Sequence, residues 1–261
     1  MSVSTTTMRA SDGSIVKLEY HDALPSTSEL ARAYAQNNYP DRYVVLAEGR
    51  KKLDQDGRFR GEVTRGLYMS CILRPSIFPS QAGLLGPMSA VAFTSALEEH
   101  TDRRLGIGWV SDIYCDGIRI GGVAIEGKLD NYTTYEYIIA TFSVRLDKRS
   151  FPPRLTDMIR KVFEEDNTSL TMIIAKTILN KVFSTYSGIR NPGKYMEAYR
   201  RKFLLFGQKV KVSFGDKKRM CRVLDVDKTT GALTVETGRG DEIVEINSPS
   251  MVTMPKRIRL Q

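Results

Sequence analysis

Histidine and cysteine are scarce in these 261 residues: only His21 and His100 of the one, and Cys71, Cys115 and Cys221 of the other. Metal centres built from imidazole and thiolate need three or four such ligands at close spacing, and these are scattered, so no metal site is expected. An odd number of cysteines, two of them in apolar strand patterns, reads as reduced core thiols rather than a disulfide framework. No apolar run is long enough to span a bilayer. The polar start Met1-Ser2-Val3-Ser4-Thr5-Thr6-Thr7-Met8-Arg9 carries no apolar signal segment, so residues 1–12 are expected to form a disordered leader and the protein to be cytoplasmic. A Gly-x-x-x-x-Gly-Lys-Ser/Thr phosphate loop is missing, as are a nucleophile elbow and any helix-turn-helix or zinc-finger pattern. Neither membrane nor nucleic acid is an expected partner.

What is present is positive charge. The formal net charge is +9, with local clusters at Arg50-Lys51-Lys52, Lys217-Lys218-Arg219 and Lys256-Arg257-Ile258-Arg259. Without a nucleic-acid motif these read as solvated basic segments that suit an acidic partner.

Periodicity gives the architecture. Ile15–Tyr20 alternates as a strand, and Pro25-Ser26-Thr27-Ser28-Glu29 is a Ser-x-x-Glu capping box opening a helix with Leu30, Ala31, Tyr34 and Ala35 inward. Strands are expected at Tyr43–Ala47, Leu67–Arg74 and Tyr135–Leu146, with a charged, glycine-containing connection over 49–65. Asp116-Gly117 is a two-residue hairpin turn. Helices are expected from Pro87 to His100, around Leu155–Val162, from Thr168 or Ser169 through Val182, and from Gly193 to Phe206. Four short strands follow, from Lys209 to Ile246, and suggest a small β-barrel. The fold class is α+β: a mixed sheet flanked by helices over 13–206, then the small barrel with a basic tail over 207–261.

The stretch Ile107-Gly108-Trp109-Val110-Ser111-Asp112-Ile113 continues through the Asp116-Gly117 turn to Gly121-Gly122 and Glu126. It resembles the central motif of biotin protein ligases, which reads Lys-Trp-Pro-Asn-Asp-Ile/Leu before a hairpin, a small-residue pair and a Glu. Leu24-Pro25-Ser26-Thr27-Ser28, Val44–Glu48, Gly66–Ser70 and Thr168-Ser169-Leu170 match further family segments in the family's order. The resemblance runs from about Lys17 to Pro249 and is to the form without an N-terminal DNA-binding domain.

It implies ATP-dependent formation of biotinyl-adenylate and transfer of biotin to a lysine of a carboxyl-carrier domain. Biotin, ATP and magnesium would be the ligands of an active enzyme, which would be a monomer or a homodimer. It places substrate contacts at Ser26, Thr27, Ser28, Trp109, Asp112, Gly121 and Gly122, and nucleotide contacts at Arg58, Arg60 and Asp112. Asp112 is equally an ordinary turn residue before a strand.

Three family features are altered. The motif lysine is Gly108, and losing one charge contact to a transition state costs roughly two to three orders of magnitude in rate. The Gly-Arg-rich loop is reduced to Gly57-Arg58-Phe59-Arg60, or to Gly57-Arg58 as its last pair. The glycine-rich pocket strand is Ala140-Thr141-Phe142-Ser143-Val144, so Phe142 is expected to fill pocket space. Three readings follow: a ligase with impaired or altered activity, a non-catalytic paralogue acting as a binding protein, and a ligase for another carboxylic acid.

Overall fold

The computed structural model describes residues 3–55, 59–101, 103–130, 134–145, 170–189, 191–238 and 242–258. Eight strands form one sheet in the order β1-β2-β3-β4-β8-β7-β6-β5. They are β1 Val3–Arg9, β2 Ile15–His21, β3 Tyr43–Leu53, β4 Phe59–Leu73, β5 Leu105–Gly108, β6 Asp112–Cys115, β7 Ile118–Leu129 and β8 Tyr135–Arg145. The sheet is mixed, because β2 and β3 pair in parallel across the crossover helix α1, Thr27–Gln36, while the other pairs are antiparallel.

Strand alternation assigns each face its helices. Tyr43, Val45, Ile72 and Ile139 pack with Ala31 and Ala35 of α1. Val44, Leu46, Met69, Cys71, Ala140 and Phe142 belong to the larger core on the other face. There they meet α3, Leu85–Glu98, which follows the single turn α2, Pro79–Ala82, and α4, Leu170–Tyr186. Phe142 is wholly buried, its ring edge-on to Phe93 at 5.5 Å. A side chain of that size buried completely stabilises the fold by roughly 1.5–3 kcal/mol.

One charge is buried on the α1 side. Glu19 accepts hydrogen bonds from Tyr43 (2.7 Å) and Tyr34 (3.1 Å) and contacts His21 Nε2 at 2.6 Å. Burial pushes its carboxyl pKa up, but the bonds from Tyr43, His21 and Tyr34 outweigh burial and hold it below the ordinary 4.5. A depressed carboxylate pKa adds stability above the unfolded-state value, and that stability is lost as pH falls through the folded value. Glu19→Gln should therefore cost about 1–3 kcal/mol at pH 7, with the difference shrinking as pH drops below 4.5. Urea unfolding at both ends of that range measures it, and a pH-independent difference would contradict the assignment.

The second sheet runs β12-β11-β10-β9-β13, from β9 Lys209–Phe214, β10 Lys217–Val226, β11 Leu233–Thr237 and β12 Glu242–Ile246 to the short β13 Val252–Thr253. Val210, Val212, Val223, Leu233 and Val235 are buried in it. Helix α5, Gly193–Lys202, leads into it.

Several expectations change. Val3–Arg9, expected to be disordered, pairs along its length with β2, so backbone pairing along one edge sufficed for a strand in a Thr-rich segment whose side chains are almost all exposed. The connection over 49–65 is instead the extension of β3 and β4 as a long hairpin, with Gly49 paired to Arg65 and Leu53 to Phe59. The C-terminal strands form an open sheet among the described residues, with no β12–β13 pairing, rather than a closed barrel. Helix α5 stops at Lys202, short of Phe206, because Leu204 donates its N–H to Ile107 O (2.9 Å) and the chain turns extended along β5. The helix expected around Leu155–Val162 and the Thr168-Ser169 cap lie outside the described residues. Asp116 and Gly117 adopt φ of 49° and 74°, the left-handed pair that a type I′ hairpin requires.

Candidate functional site

The N-terminal end of α1 faces the sheet where β8, β7 and β6 lie side by side. Ser26 caps the helix, its Oγ accepting the Glu29 N–H at 3.2 Å. Beneath it a hydroxyl chain runs from Thr27 Oγ1 to Ser70 Oγ (2.8 Å) and on to Thr141 Oγ1 (3.0 Å). Around these groups lies a cavity of about 240 Å3, lined by Leu24–Ser28, Arg50, Tyr68, Thr141 and Ser143, with Asp112, Arg119, Gly122, Val123 and Ala124 opposite. Ordinary small-molecule sites run to roughly 300–1,000 Å3, so the cavity suits a compact ligand. Helix N–H groups and hydroxyls at one end favour an anionic or strongly polar group there.

The cavity adjoins a wider groove of about 950 Å3, and the two share Pro25, Ser26, Arg50, Tyr68, Arg119 and Ser143. Among the described groove residues Arg50, Lys51, Lys52, Arg119, Lys256 and Arg257 are cationic, and Glu29 is acidic. A compact chamber thus opens into a strongly basic one.

Asp112 and Arg119 sit at the junction, Arg119 Nη2 lying 2.6 Å from Asp112 Oδ1. Burial pushes the Asp112 carboxyl above the ordinary carboxylate range, and the Arg119 charge pulls only partly against it. Gly121 and Gly122 are required by packing: a Cβ at Gly121 would lie 2.1 Å from Ser143 O, and one at Gly122 2.9 Å from Ser111 O. The absence of those side chains lets β7 close on its neighbours and lets Gly122 line the cavity.

Of the residues expected from sequence, Ser26, Thr27, Ser28, Asp112 and Gly122 line the cavity and Gly121 the groove. Trp109 does neither. It is 3% exposed, and its Nε1–H donates to Gly231 O (2.9 Å) in the β10–β11 turn, tying the second sheet to the first. Arg58 lies outside the described residues, and Arg60 is placed only as a residue of β4. Phe142 does not fill the cavity: alternation turns Thr141 and Ser143 into it and Phe142 into the opposite core. Nor is the place of the motif lysine vacant. A Cβ on Gly108 would lie 2.6 Å from Met254 Cε and 2.7 Å from Tyr114 Cε2.

Sequence reasoning passed over Arg119, Arg50, Tyr68 and the cationic pair Lys256 and Arg257 as site residues. Arg119 was within reach, because alternation from Gly121 puts it on the same side of β7. The tail pair was visible as a basic cluster, but nothing local tied it to the site. Its position depends on docking against the β6–β7 hairpin, where Arg119 N–H donates to Lys256 O (3.1 Å) and Ile258 N–H to Gly117 O (2.8 Å).

No family model matches the chain. Among curated proteins it is 31% identical over 150 residues to the bifunctional ligase/repressor BirA of Bacillus subtilis strain 168, covering 54% of this chain and 44% of that protein. The chain thus spans less than half the length of the curated relative it matches. Among solved structures, biotin protein ligase from Aquifex aeolicus in complex with biotin and ATP superposes with a TM-score of 0.63 at 21% identity, over 88% of this chain and 95% of that one. In sequence over about half its length, and in fold over most of it, the chain is similar to biotin protein ligases. A biotin protein ligase-like protein of unknown function from Silicibacter sp. TM1040 has the same fold, with a TM-score of 0.63 at 14% identity over 89% of this chain and 94% of the other. Fold likeness at such identities carries no activity with it. Among the described residues no group of three or more His, Cys, Asp and Glu side chains is disposed to hold a metal ion, and no helix is long and apolar enough to cross a membrane.

Proposed function

We propose that this chain is an altered biotin-type ligase: it condenses biotin with ATP to biotinyl-adenylate, releasing pyrophosphate, and passes the biotinyl group to a lysine of a carboxyl-carrier domain, releasing AMP. The observation that carries this reading is the joining of a compact polar cavity to a basic groove at Arg119 and Asp112. Such a reaction must bring a carboxylate against a polyanion, so its barrier is governed by positioning and by neutralisation of charge. Ser26, Thr27, Ser28 and Thr141 would hold the acid in the cavity, and Arg119 and Arg50, which border both chambers, would sit beside the reacting carboxylate and α-phosphate. Magnesium would arrive on the triphosphate, whose oxygens supply its ligands. Glu29 also borders the groove and brings it a negative charge.

With Gly108 in place of the motif lysine, the rate is expected to fall roughly two to three orders of magnitude below that of a lysine-bearing relative. Biotin-dependent exchange of labelled pyrophosphate into ATP tests this. Slow exchange that requires biotin supports the reading, and folded protein that gives none refutes it.

A second reading, a binding protein without adenylation, is favoured by one observation: Asp112 is already committed to Arg119, so the junction's nearest cation is partly neutralised. Tight biotin binding without exchange would select it. Exchange with a different acid and not with biotin would select a ligase of altered substrate.

A further inference from the structure

Gly108 and the C-terminal segment fit one another. The space that a side chain at 108 would enter holds the Met254 methyl group and the Tyr114 ring. The next residue is anchored as well: Tyr114 Oη–H donates to Pro255 O at 2.5 Å. Beyond it the chain lies along the β6–β7 hairpin, bridged between Ile118 and Arg257, with backbone bonds from Arg119 to Lys256 and from Ile258 to Gly117. That course carries Lys256 and Arg257 to the wall of the basic groove, opposite Arg50, Lys51 and Lys52. Both side chains are exposed there, and Ile258 beyond them is buried, so the segment is held at both ends with its charges directed to the groove.

We propose that the segment Met254–Arg257 is part of the anion-binding site. Seated in the socket that Gly108 leaves open, it delivers Lys256 and Arg257 as cations for a polyphosphate such as a nucleoside triphosphate. Charge absent from the strand at 108 is supplied from the other end of the chain, by a segment that a larger residue at 108 would obstruct. The inference rests on the reading of the groove as a polyphosphate site, though not on any reaction taking place there. Two cations fixed by backbone pairing lose less freedom on binding than two on a loose tail, so their effect on affinity exceeds that of equal charge elsewhere.

The test is calorimetric titration of the full chain with inorganic tripolyphosphate and, separately, with ATP. Four proteins are compared: the natural chain, K256Q/R257Q, the charge-conserving K256R/R257K, and K217Q/K218Q, which removes equal charge from exposed β10 residues that do not line the groove. Tripolyphosphate affinity should fall at least tenfold in K256Q/R257Q, return in K256R/R257K and change less than twofold in K217Q/K218Q, with all four unfolding at similar temperatures. An equal loss in both neutralised pairs, no loss in either, or no binding by the natural chain would overturn the inference. Failure of the catalytic reading is separate. The tripolyphosphate pattern without pyrophosphate exchange leaves the inference standing and removes the ligase. Exchange with an unchanged KM for ATP in K256Q/R257Q does the reverse.

Discussion

Gly108→Lys, the substitution that restores the motif lysine, should destabilise the protein and fail to restore activity. Gly108 is buried at the end of β5, and its first added atom would fall well inside contact distance of Met254 and of the Tyr114 ring. Met254 can swing away, because the clashing atom is its terminal methyl. Tyr114 cannot do so as readily: it is 1% exposed and hydrogen-bonded to Pro255 O. Overfilling a packed site typically costs 1–3 kcal/mol, which in a chain of this size lowers Tm by roughly 2–12 °C. The strain falls on the segment that carries Lys256 and Arg257. The variant therefore gains a positive charge and is nonetheless expected to bind tripolyphosphate at least fivefold more weakly. Met254→Ala in the same chain clears the socket and should recover part of the lost Tm. Thermal unfolding and titration of G108K and G108K/M254A measure both effects. Undiminished stability with restored pyrophosphate exchange in G108K would show that the lysine position is still functional space.

The same position marks how far the sequence could be read. Elements with local causes were legible: the Ser26 cap, the Asp116-Gly117 turn, and the alternation that buries Val44 and Leu46 on one face and Tyr43 and Val45 on the other. The serine–threonine cluster at 26–28, Asp112 and the glycine pair were legible too, since each sits in a recognisable segment and the fold brings them together. What escaped depends on tertiary placement. A glycine in the string reads as a lost charge, and only packing shows that the space is taken by residues near 254. Phe142 reads as a pocket residue if glycines are expected at its position, but which face an alternating strand gives to the ligand is fixed by where α1 and α3 dock. Trp109 reads as part of a motif, whereas its partner Gly231 lies 122 positions away in sequence. Val3–Arg9 looked like a leader because the four polar residues Ser4–Thr7 give no apolar face, yet an edge strand needs only backbone pairing on one side.

Arg119→Gln should have the largest effect on function. Arg119 borders both chambers and forms the 2.6 Å ion pair with Asp112, so its loss removes a cation from the junction and leaves a largely buried carboxylate without its partner. If the junction is where carboxylate and phosphate meet, biotin-dependent exchange should fall by roughly two to three orders of magnitude, with Lys256 and Arg257 unable to compensate because they line the groove alone. A second consequence concerns stability and holds whether or not the protein is a ligase. Asp112 already has a pKa raised by burial against the opposing pull of Arg119. A raised carboxyl pKa contributes stability that is complete below the unfolded value near 3.8 and is lost as pH rises through the folded value. Removing Arg119 raises the folded value further, so the penalty extends to higher pH. R119Q should therefore be close to the natural chain in stability near pH 4 and fall increasingly behind it toward pH 8. Asp112→Asn added to R119Q removes the titrating group and should flatten that slope. Urea unfolding of the natural chain, R119Q and D112N/R119Q across this range decides the point. A pH-independent gap between R119Q and the natural chain would mean that Asp112 is solvated well enough to ionise without Arg119, and the junction would then be a weaker anion site than its geometry implies.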